Sequence, residues 1–353
     1  MEKLTIRTHP PYDVLLGRGL LAQSGALAAQ AVPGRRAMIV FDDRVTANCL
    51  QAVQASFAAA GFAVSHFSVA HGEDSKSLST LADLLNAAVD AGLTREDLFA
   101  ALGGGVVGDL AGFAAAVYLR GVDFVQLPTT LLAMVDACVG GKTAVNLPGG
   151  KNLCGAFHQP RLVICDPDTL STLPPAVYAE GMAEIIKHGA ICDEGLLDQV
   201  REGAPIEHLI SASLRIKGEL VCRDERDLGP RQLLNFGHTF GHALEKLNDY
   251  RIYHGEGVAV GMVIAAFAAE HHGLCAPGVC RELRALLTEN RLPVTTPFTA
   301  AQIARCTRED KKRRGDSLTL VLPVSRGRCL LHPLPAEDLA AFTACCDGKV
   351  TGL

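Results

Sequence analysis

No apolar run in this chain reaches the ~18–20 residues a membrane span needs before a charge, glycine or proline interrupts it. That absence argues against a membrane-spanning helix. Blocks of like charge are missing as well: the net charge is −5, and nowhere do five or six charges of one sign run together. Nothing therefore points to nucleic acid or a membrane surface as a partner. The first thirty residues hold no basic segment leading into an apolar core and cleavage site. That predicts no secretory signal and a cytoplasmic location. Twelve cysteines are present, yet no Cys-x-x-Cys pair occurs, and most sit in apolar runs, as Cys138, Cys154, Cys165 and Cys329 do. The pattern predicts reduced thiols acting as small core residues and argues against a cysteine-rich zinc site.

What is present is a chain of 353 residues, 48% of them hydrophobic. That length suits two domains at roughly 100–200 residues each. The first half alternates β-like runs with alanine-rich helical stretches: "AMIVFDD", "VTANCLQAVQASFAAAG", "AVSHFSV", "LSTLADLLNAAVDAG", "DLFAALGGG", "DLAGFAAAVYL" and "VDFVQLPTT". Strands alternating with helices predict βαβ units and a mostly parallel sheet. After "LVICDPDTLSTLPP" the texture turns helical up to about Asp310, with breaks at Gly229-Pro230 and Leu292-Pro293. A late β-like run, "SLTLVLPV", precedes a terminal helical pattern. The expected division is an α/β domain over residues 1–175 and a mainly α-helical domain over residues 176–353.

Several segments carry chemistry. "GGGVVGD", Gly103 to Asp109, follows a strand-like run and opens a helix-like one. Its glycines let backbone approach a phosphate, and free N–H groups at a helix start favour an anion. A tight strand–helix turn explains the same letters equally well. "GGKTAVNLPGGKN" sets Lys142 and Lys151 among glycines beside Asn146 and Asn152, an arrangement suited to a phosphate or carboxylate. Its spacing is not that of a P-loop.

"EGMAEIIKHGAI" places Glu184 and Lys187 three residues apart on one helix face, flanked by apolar residues. An i,i+3 salt bridge is the plain reading, but a carboxylate in apolar surroundings is costly unless it binds something. "RQLLNFGHTFGHALE" then gives Arg231, Asn235, His238, His242 and Glu245, and His254 follows in "YHGEGVAVGM". One carboxylate with two or three imidazoles suits zinc or a similar divalent ion. The choice among Glu184, His238, His242, His254 and Glu256 stays open on chemistry alone. "REDKKRRGDSL" clusters Lys311, Lys312, Arg313 and Arg314, a pattern that usually marks a solvated turn.

Taken in order, "GGGVVGDLAGFAAAVYLRG", "QLPTTLLAMVDACVGGKTAVNLPGGKN", "AFHQP", "GMAEIIKHG", "LLNFGHTFGHALE", "HGEGVAVGM" and "EDKKRRGD" closely resemble the 3-dehydroquinate synthase family of sugar-phosphate cyclases. The resemblance runs from about Val40 to Leu322. It implies an N-terminal NAD-binding α/β domain with a mostly parallel sheet and a mainly α-helical C-terminal metal-binding domain. It also implies a homodimer. The implied reaction converts 3-deoxy-D-arabino-heptulosonate 7-phosphate to 3-dehydroquinate and phosphate. Transient NAD-dependent oxidation, phosphate elimination, re-reduction and aldol closure are its steps.

Carried over by that resemblance, Glu184, His238 and His254 fall on the metal ligands, for zinc or cobalt. Asp136, Lys142, Asn152, Lys217, Arg231 and Asn235 fall on substrate-binding positions, with Arg231 suited to a carboxylate by its planar fork. His242 falls near the substrate phosphate together with Lys187, Asn152 and one lysine of the Lys311-Lys312 pair. Arg120 matches an arginine that reaches the phosphate from the partner subunit. For NAD the matching positions are Asp42, Glu73, Lys76, Gly104, Gly105, Val106, Val107, Gly108, Asp109, Thr129, Thr130, Lys142, Lys151, Thr169, Leu170, Ser171 and Thr172. Departures from the family pattern are Ala137-Cys138 after Asp136, His71 before the Gly72-Glu73 of the cofactor loop, and Gly257 where alanine is common.

Overall fold

The computed structural model describes residues 1–311 and 317–352, and for residues 309–311 the backbone alone. Lys312 and the side chain of Lys311 lie outside the described residues, so the phosphate contact expected of that pair has no structural counterpart. The chain forms two compact units, Met1–Leu173 with Lys217–Arg226, and Pro174–Ile216 with Asp227–Leu353.

The first unit is built on a seven-stranded sheet. Its strands are β1 (Glu2–Ile6), β2 (Tyr12–Leu16), β3 (Arg36–Asp42), β4 (Ala63–Val69), β5 (Leu98–Gly103), β6 (Asp123–Pro128) and, after a separate hairpin, β9 (Leu162–Cys165). Their order is β1-β2-β9-β6-β5-β3-β4. The β1–β2 pair is antiparallel and every other pairing is parallel. The period-two alternation of β3 explains the layering: Met38 and Val40 join one core, Ala37 and Ile39 the other. Helices α1 (Ser24–Ala31) and α2 (Ala47–Ala59) cover one face through residues such as Ala28, Val53 and Phe57. Helices α3 (Leu78–Asp90) and α4 (Gly105–Val117) cover the other through Leu84, Leu110 and Phe113. Strand β5 is buried along its whole length, as a central parallel strand covered on both faces must be.

The connections place a site. From β3 the chain moves outward to β4 at the sheet edge, then returns across β3 to β5. The gap between the carboxyl ends of β3 and β5 is thus a topological switch point, where open α/β sheets bind ligands. Asp42 ends β3 and Gly103 ends β5; a Cβ on Gly103 would lie 3.2 Å from Asp42 Oδ2.

The glycine-rich "GGKTAVNLPGGKN" segment is more regular than a loop. It forms an antiparallel hairpin of β7 (Lys142–Leu147) and β8 (Gly150–Phe157), pairing Leu147 with Gly150 across Pro148-Gly149. Buried Thr143, Ala144 and Val145 give β7 the apolar hold that a solvated loop lacks.

The second unit is helical: α5 (Pro175–Cys192), α6 (Glu194–Arg201), the first half of α7 (Ile206–Arg223), α8 (His238–Leu247), α9 (His254–His271), α10 (Val279–Glu289), α11 (Ala300–Lys311) and the short α12 (Leu339–Thr343). A hairpin of β10 (Ser317–Ser325) and β11 (Arg328–Pro335) completes it. Helix α9 is buried on nearly every side, which its Ala- and Gly-rich sequence permits. It crosses α8 at glycines. A Cβ on Gly261 would sit 2.0 Å from the Gly237 carbonyl oxygen, and one on Gly241 would sit 3.0 Å from the Gly257 carbonyl carbon. Gly237 also has φ +79, the left-handed region that suits glycine at a helix start.

No described helix is long and apolar enough to cross a membrane. All twelve cysteines are free thiols; Cys138, Cys165, Cys275, Cys280, Cys306, Cys329 and Cys346 are buried.

Candidate active site

The glycine crossing determines where two histidines stand. His238 and His254 are the first residues of α8 and α9, so the close approach of the helices brings their rings to 5.1 Å between centroids. Glu184 arrives from the middle of α5, fully buried. One ligating atom from each of Glu184, His238 and His254 lies within 4.8 Å of the others. Glu184 Oε1 faces His238 Nε2 at 3.8 Å and His254 Nε2 at 3.7 Å, while Oε2 takes the ammonium of Lys187, itself buried. A buried carboxylate costs several kcal/mol by desolvation unless it is paired, and Lys187 supplies one such pairing.

Both imidazoles have Nδ1 engaged elsewhere. His238 Nδ1 lies 3.2 Å from the Phe236 carbonyl oxygen, and His254 Nδ1 lies 2.7 Å from Glu245 Oε1. Those acceptors assign the Nδ1–H tautomer to both rings and leave the Nε2 lone pairs toward Glu184. Burial works against a charged His254. The hydrogen bond and charge of Glu245, then the charges of Glu184 and Glu180, outweigh it and hold the ring's pKa above the ordinary histidine value. Glu180, from α5, accepts from the backbone amides of His254 and Gly255 at the start of α9. Burial pushes its carboxyl up, countered in part by His254 and those amides. Glu256, an open alternative on sequence grounds, serves the helix: its carboxylate accepts from the Tyr253 amide at 2.9 Å as a cap of α9.

Three protein donors, one carboxylate and two imidazoles, form the N/O set that suits zinc or cobalt and leave coordination positions for a substrate. His242 stands one turn beyond His238. It is exposed and falls into a different triple, with Glu245 and His254. Arg231 is almost fully buried in the short helical turn Pro230–Asn235 that leads into α8, and Asn235 ends that turn exposed. Sequence reasoning named Glu245 without a role and missed Glu180. The signal for Glu180 lay in Gly255, where a Cβ would come within 2.5 Å of Glu180 Cα.

In the α/β unit the polar residues hold one another. Lys76 Nζ donates to Asp109 Oδ2 at 2.6 Å and to Asn152 Oδ1 at 2.5 Å, with Glu73 at 3.9 Å. Asn146 donates to Glu73 and accepts from the Asn152 amide, both at 2.8 Å. Burial raises the Asp109 carboxyl above its ordinary value, against the opposing pull of Lys76. Lys217, in the half of α7 belonging to this unit, binds both the carboxylate and the carbonyl of Asp136. Lys142 is exposed at the start of β7, and Lys151 is half-buried on β8.

Gly104 precedes α4, so Gly105, Val106, Val107 and Gly108 form its first turn, and Val107 is fully buried beneath it. Thr129 and Thr130 follow β6, and the Thr130 hydroxyl accepts from the Ala133 amide. Thr169, Leu170, Ser171 and Thr172 end the short helical turn Pro167–Thr172; the hydroxyls of Thr169, Ser171 and Thr172 donate to the carbonyls of Asp166, Asp168 and Thr169, and Leu170 packs inward. Arg120, at φ +69, is exposed on the turn after α4.

Comparison with known proteins places this geometry. Residues 66–180 match the family profile described as 3-dehydroquinate synthase N-terminal, and residues 181–313 match its C-terminal counterpart. The 3-dehydroquinate synthase of Streptococcus sanguinis is 43% identical over 344 residues, covering 95% of this chain and 97% of the relative. Among solved structures, 2-deoxy-scyllo-inosose synthase complexed with carbaglucose-6-phosphate, NAD+ and Co2+ superposes with a TM-score of 0.85 at 25% identity, covering 97% of this chain and 99% of that one. The 2-epi-5-epi-valiolone synthase from Streptomyces hygroscopicus, with NAD+ and Zn2+ bound, gives 0.83 at 27% identity, covering 94% and 95%.

Proposed function

The chain belongs to the 3-dehydroquinate synthase family and is a lyase of that family, and from this premise we propose how its residues divide the work. The reaction converts 3-deoxy-D-arabino-heptulosonate 7-phosphate to 3-dehydroquinate and phosphate. When bound, NAD supplies a transient oxidation and re-reduction of a substrate alcohol, and a divalent zinc or cobalt ion supplies Lewis-acid polarisation of its oxygen. The α/β unit, which takes in Lys217–Arg226 as well as the first 173 residues, serves as the NAD-binding domain with substrate contacts of its own, and the helical unit holds the metal and the remaining substrate contacts.

One observation carries the reading: a buried carboxylate and two imidazoles, each ring with Nε2 turned toward that carboxylate, gathered within 4.8 Å. Glu184, His238 and His254 hold the ion. In the helical unit, Arg231 offers its planar fork to the substrate carboxylate, and Asn235 binds a hydroxyl. Lys187, besides neutralising Glu184, stands as the cation for the phosphate. His242, exposed on the turn after His238, gives a proton to the departing phosphate. In the α/β unit, Asp136, Lys217, Lys142 and Asn152 bind substrate. Asp42 and the Gly104–Asp109 turn, which flank the switch point, take the dinucleotide with Glu73, Lys76, Thr129, Thr130, Lys151 and residues 169–172. A homodimer in which Arg120 of one subunit reaches the other's phosphate, and a cytoplasmic location, complete the proposal.

The test is phosphate release by the purified protein with NAD+ and Zn2+ or Co2+. Three substrates are run in parallel: the heptulosonate phosphate, sedoheptulose 7-phosphate and glucose 6-phosphate. Turnover of the first alone is expected, because only that substrate has a carboxylate for Arg231. Arg231→Lys should raise KM for it through lost bidentate geometry while metal content stays normal. Preference for either of the other sugars would make the chain a different cyclase on this fold.

A further inference from the structure

The two histidines at the metal centre are held by unlike partners. His238 Nδ1 meets a backbone carbonyl two residues earlier, so its partner comes with the local turn. His254 Nδ1 meets the side chain of Glu245, which lies on another helix across the α8–α9 turn. We propose that Glu245 is a positioning residue, holding His254 in the Nδ1–H tautomer and in the rotation that presents Nε2 to the metal.

Three observations carry this. Glu245 is 2% exposed, yet it stands in the last turn of α8, where the negative end of the helix dipole disfavours a carboxylate. Helix energetics therefore gives no reason for its charge to be there. Its contact with the ring, at 2.7 Å, has the length of a strong charge-assisted hydrogen bond. The segment between the partners turns tightly through Asp249 and Tyr250, both at positive φ, and its own backbone bond from the Tyr250 amide to the Glu245 carbonyl, at 2.7 Å, folds it back beside Glu245. Without Glu245 the hydrogen bond that fixes the proton on His254 Nδ1 is lost. Either nitrogen could then point at Glu184, and only one orientation binds.

Carboxylates behind metal-binding histidines are worth about 10–100-fold in metal affinity in general. The inference rests on the metal-centre reading above, so its test separates the two. Full-length wild type, Glu245→Gln and Glu245→Ala are stripped of metal and checked for folding by circular dichroism. Long-range proton–nitrogen NMR then reports the His254 tautomer, and chelator competition reports Zn2+ affinity. The wild type should show Nδ1–H at His254. Glu245→Ala should mix the tautomers and lose about 10–100-fold in affinity. Glu245→Gln keeps an amide oxygen as acceptor and should recover most of both.

Wild-type tautomer and affinity in a folded Glu245→Ala protein would overturn the proposal. If Glu245→Ala does not fold, Glu245→Gln decides: equal loss of affinity with a changed visible spectrum of the Co2+ form would make Glu245 a ligand, not a positioning residue. Absence of Zn2+ binding by the wild type would sink the metal-centre reading. The tautomer measurement would still judge Glu245, because it needs no metal.

Discussion

The helical unit and the α/β unit assemble their polar residues in opposite ways. At the proposed metal centre the donors sit on the ends and middle of helices, and spacing comes from backbone touching backbone at Gly237 and Gly261. Each histidine has its second nitrogen already engaged, so the donors are oriented before any ion is considered. In the α/β unit the residues sit on a hairpin, a short turn and the start of α4, and their order comes from one another: Lys76 joins Asp109 to Asn152, and Asn146 joins Glu73 to the Asn152 amide. A cation arriving at the first region adds contacts to a fixed frame. A dinucleotide bound at the second as proposed would exchange contacts within a network that already closes on itself.

The contrast can be broken by experiment. The largest effect is expected from His254→Ala, which removes a donor from the rigid frame. Zinc content should be lost, with several kcal/mol of transition-state stabilisation, roughly a thousandfold or more in turnover. NAD+ binding by fluorescence should stay at the wild-type level, and equal loss of both would deny that the two regions are independent. Next comes Gly261→Ala, whose new methyl meets a carbonyl at 2.0 Å and must push the helices apart. Urea unfolding of the metal-free protein should show a loss of about 1–3 kcal/mol or more, with weaker zinc binding. Gly257→Ala is the mild companion, because its nearest contact is 3.0 Å, and it should cost well under that.

Lys76→Gln tests the other region. It removes one charge-assisted hydrogen-bond donor, worth roughly 1.5–3 kcal/mol, and should weaken NAD+ binding about tenfold or more while zinc affinity is unchanged. A smaller effect lies in pH. Metal needs a neutral His254, whose pKa is raised. Zinc affinity should therefore fall as pH drops through that raised value, by up to tenfold per unit. In the metal-free protein the sign reverses. The protonated ring favours the fold below the ordinary histidine value of 6.5, and that contribution disappears as pH rises through the raised value. Chelator titration and urea unfolding across that range separate the two.

Much of this was legible in the letters. Alternating β-like and helical runs foretold the parallel sheet, because buried strands and covering helices differ in period and length. The change of texture near Pro174 foretold the helical part. The ligand field, in contrast, stayed open among five residues on chemistry alone; the family resemblance singled out Glu184, His238 and His254, and local facts that periodicity does not carry now bear on that choice. Glu256 is taken by a helix cap, His242 stands exposed a turn away, and Glu184 joins His238 and His254 through a crossing of helices distant in sequence. The β7–β8 hairpin was hidden by its glycines, which read as loop although the strand between them packs inward. Glu245 was visible as a letter, but its partner lies on the next helix.

Gly237, Gly241, Gly257 and Gly261 bear no side-chain functional group. They nevertheless set the gap between two imidazoles, as the thickness of a hinge sets the gap of a door. Mutational drift should therefore treat them unequally. Gly261 should be nearly as immovable as a ligand, whereas Gly257 has room for a grudging methyl. A screen that scored only chemically active side chains would miss this constraint. The proposed metal centre thus has a silent perimeter, and damage there would look like loss of zinc with every proposed ligand intact.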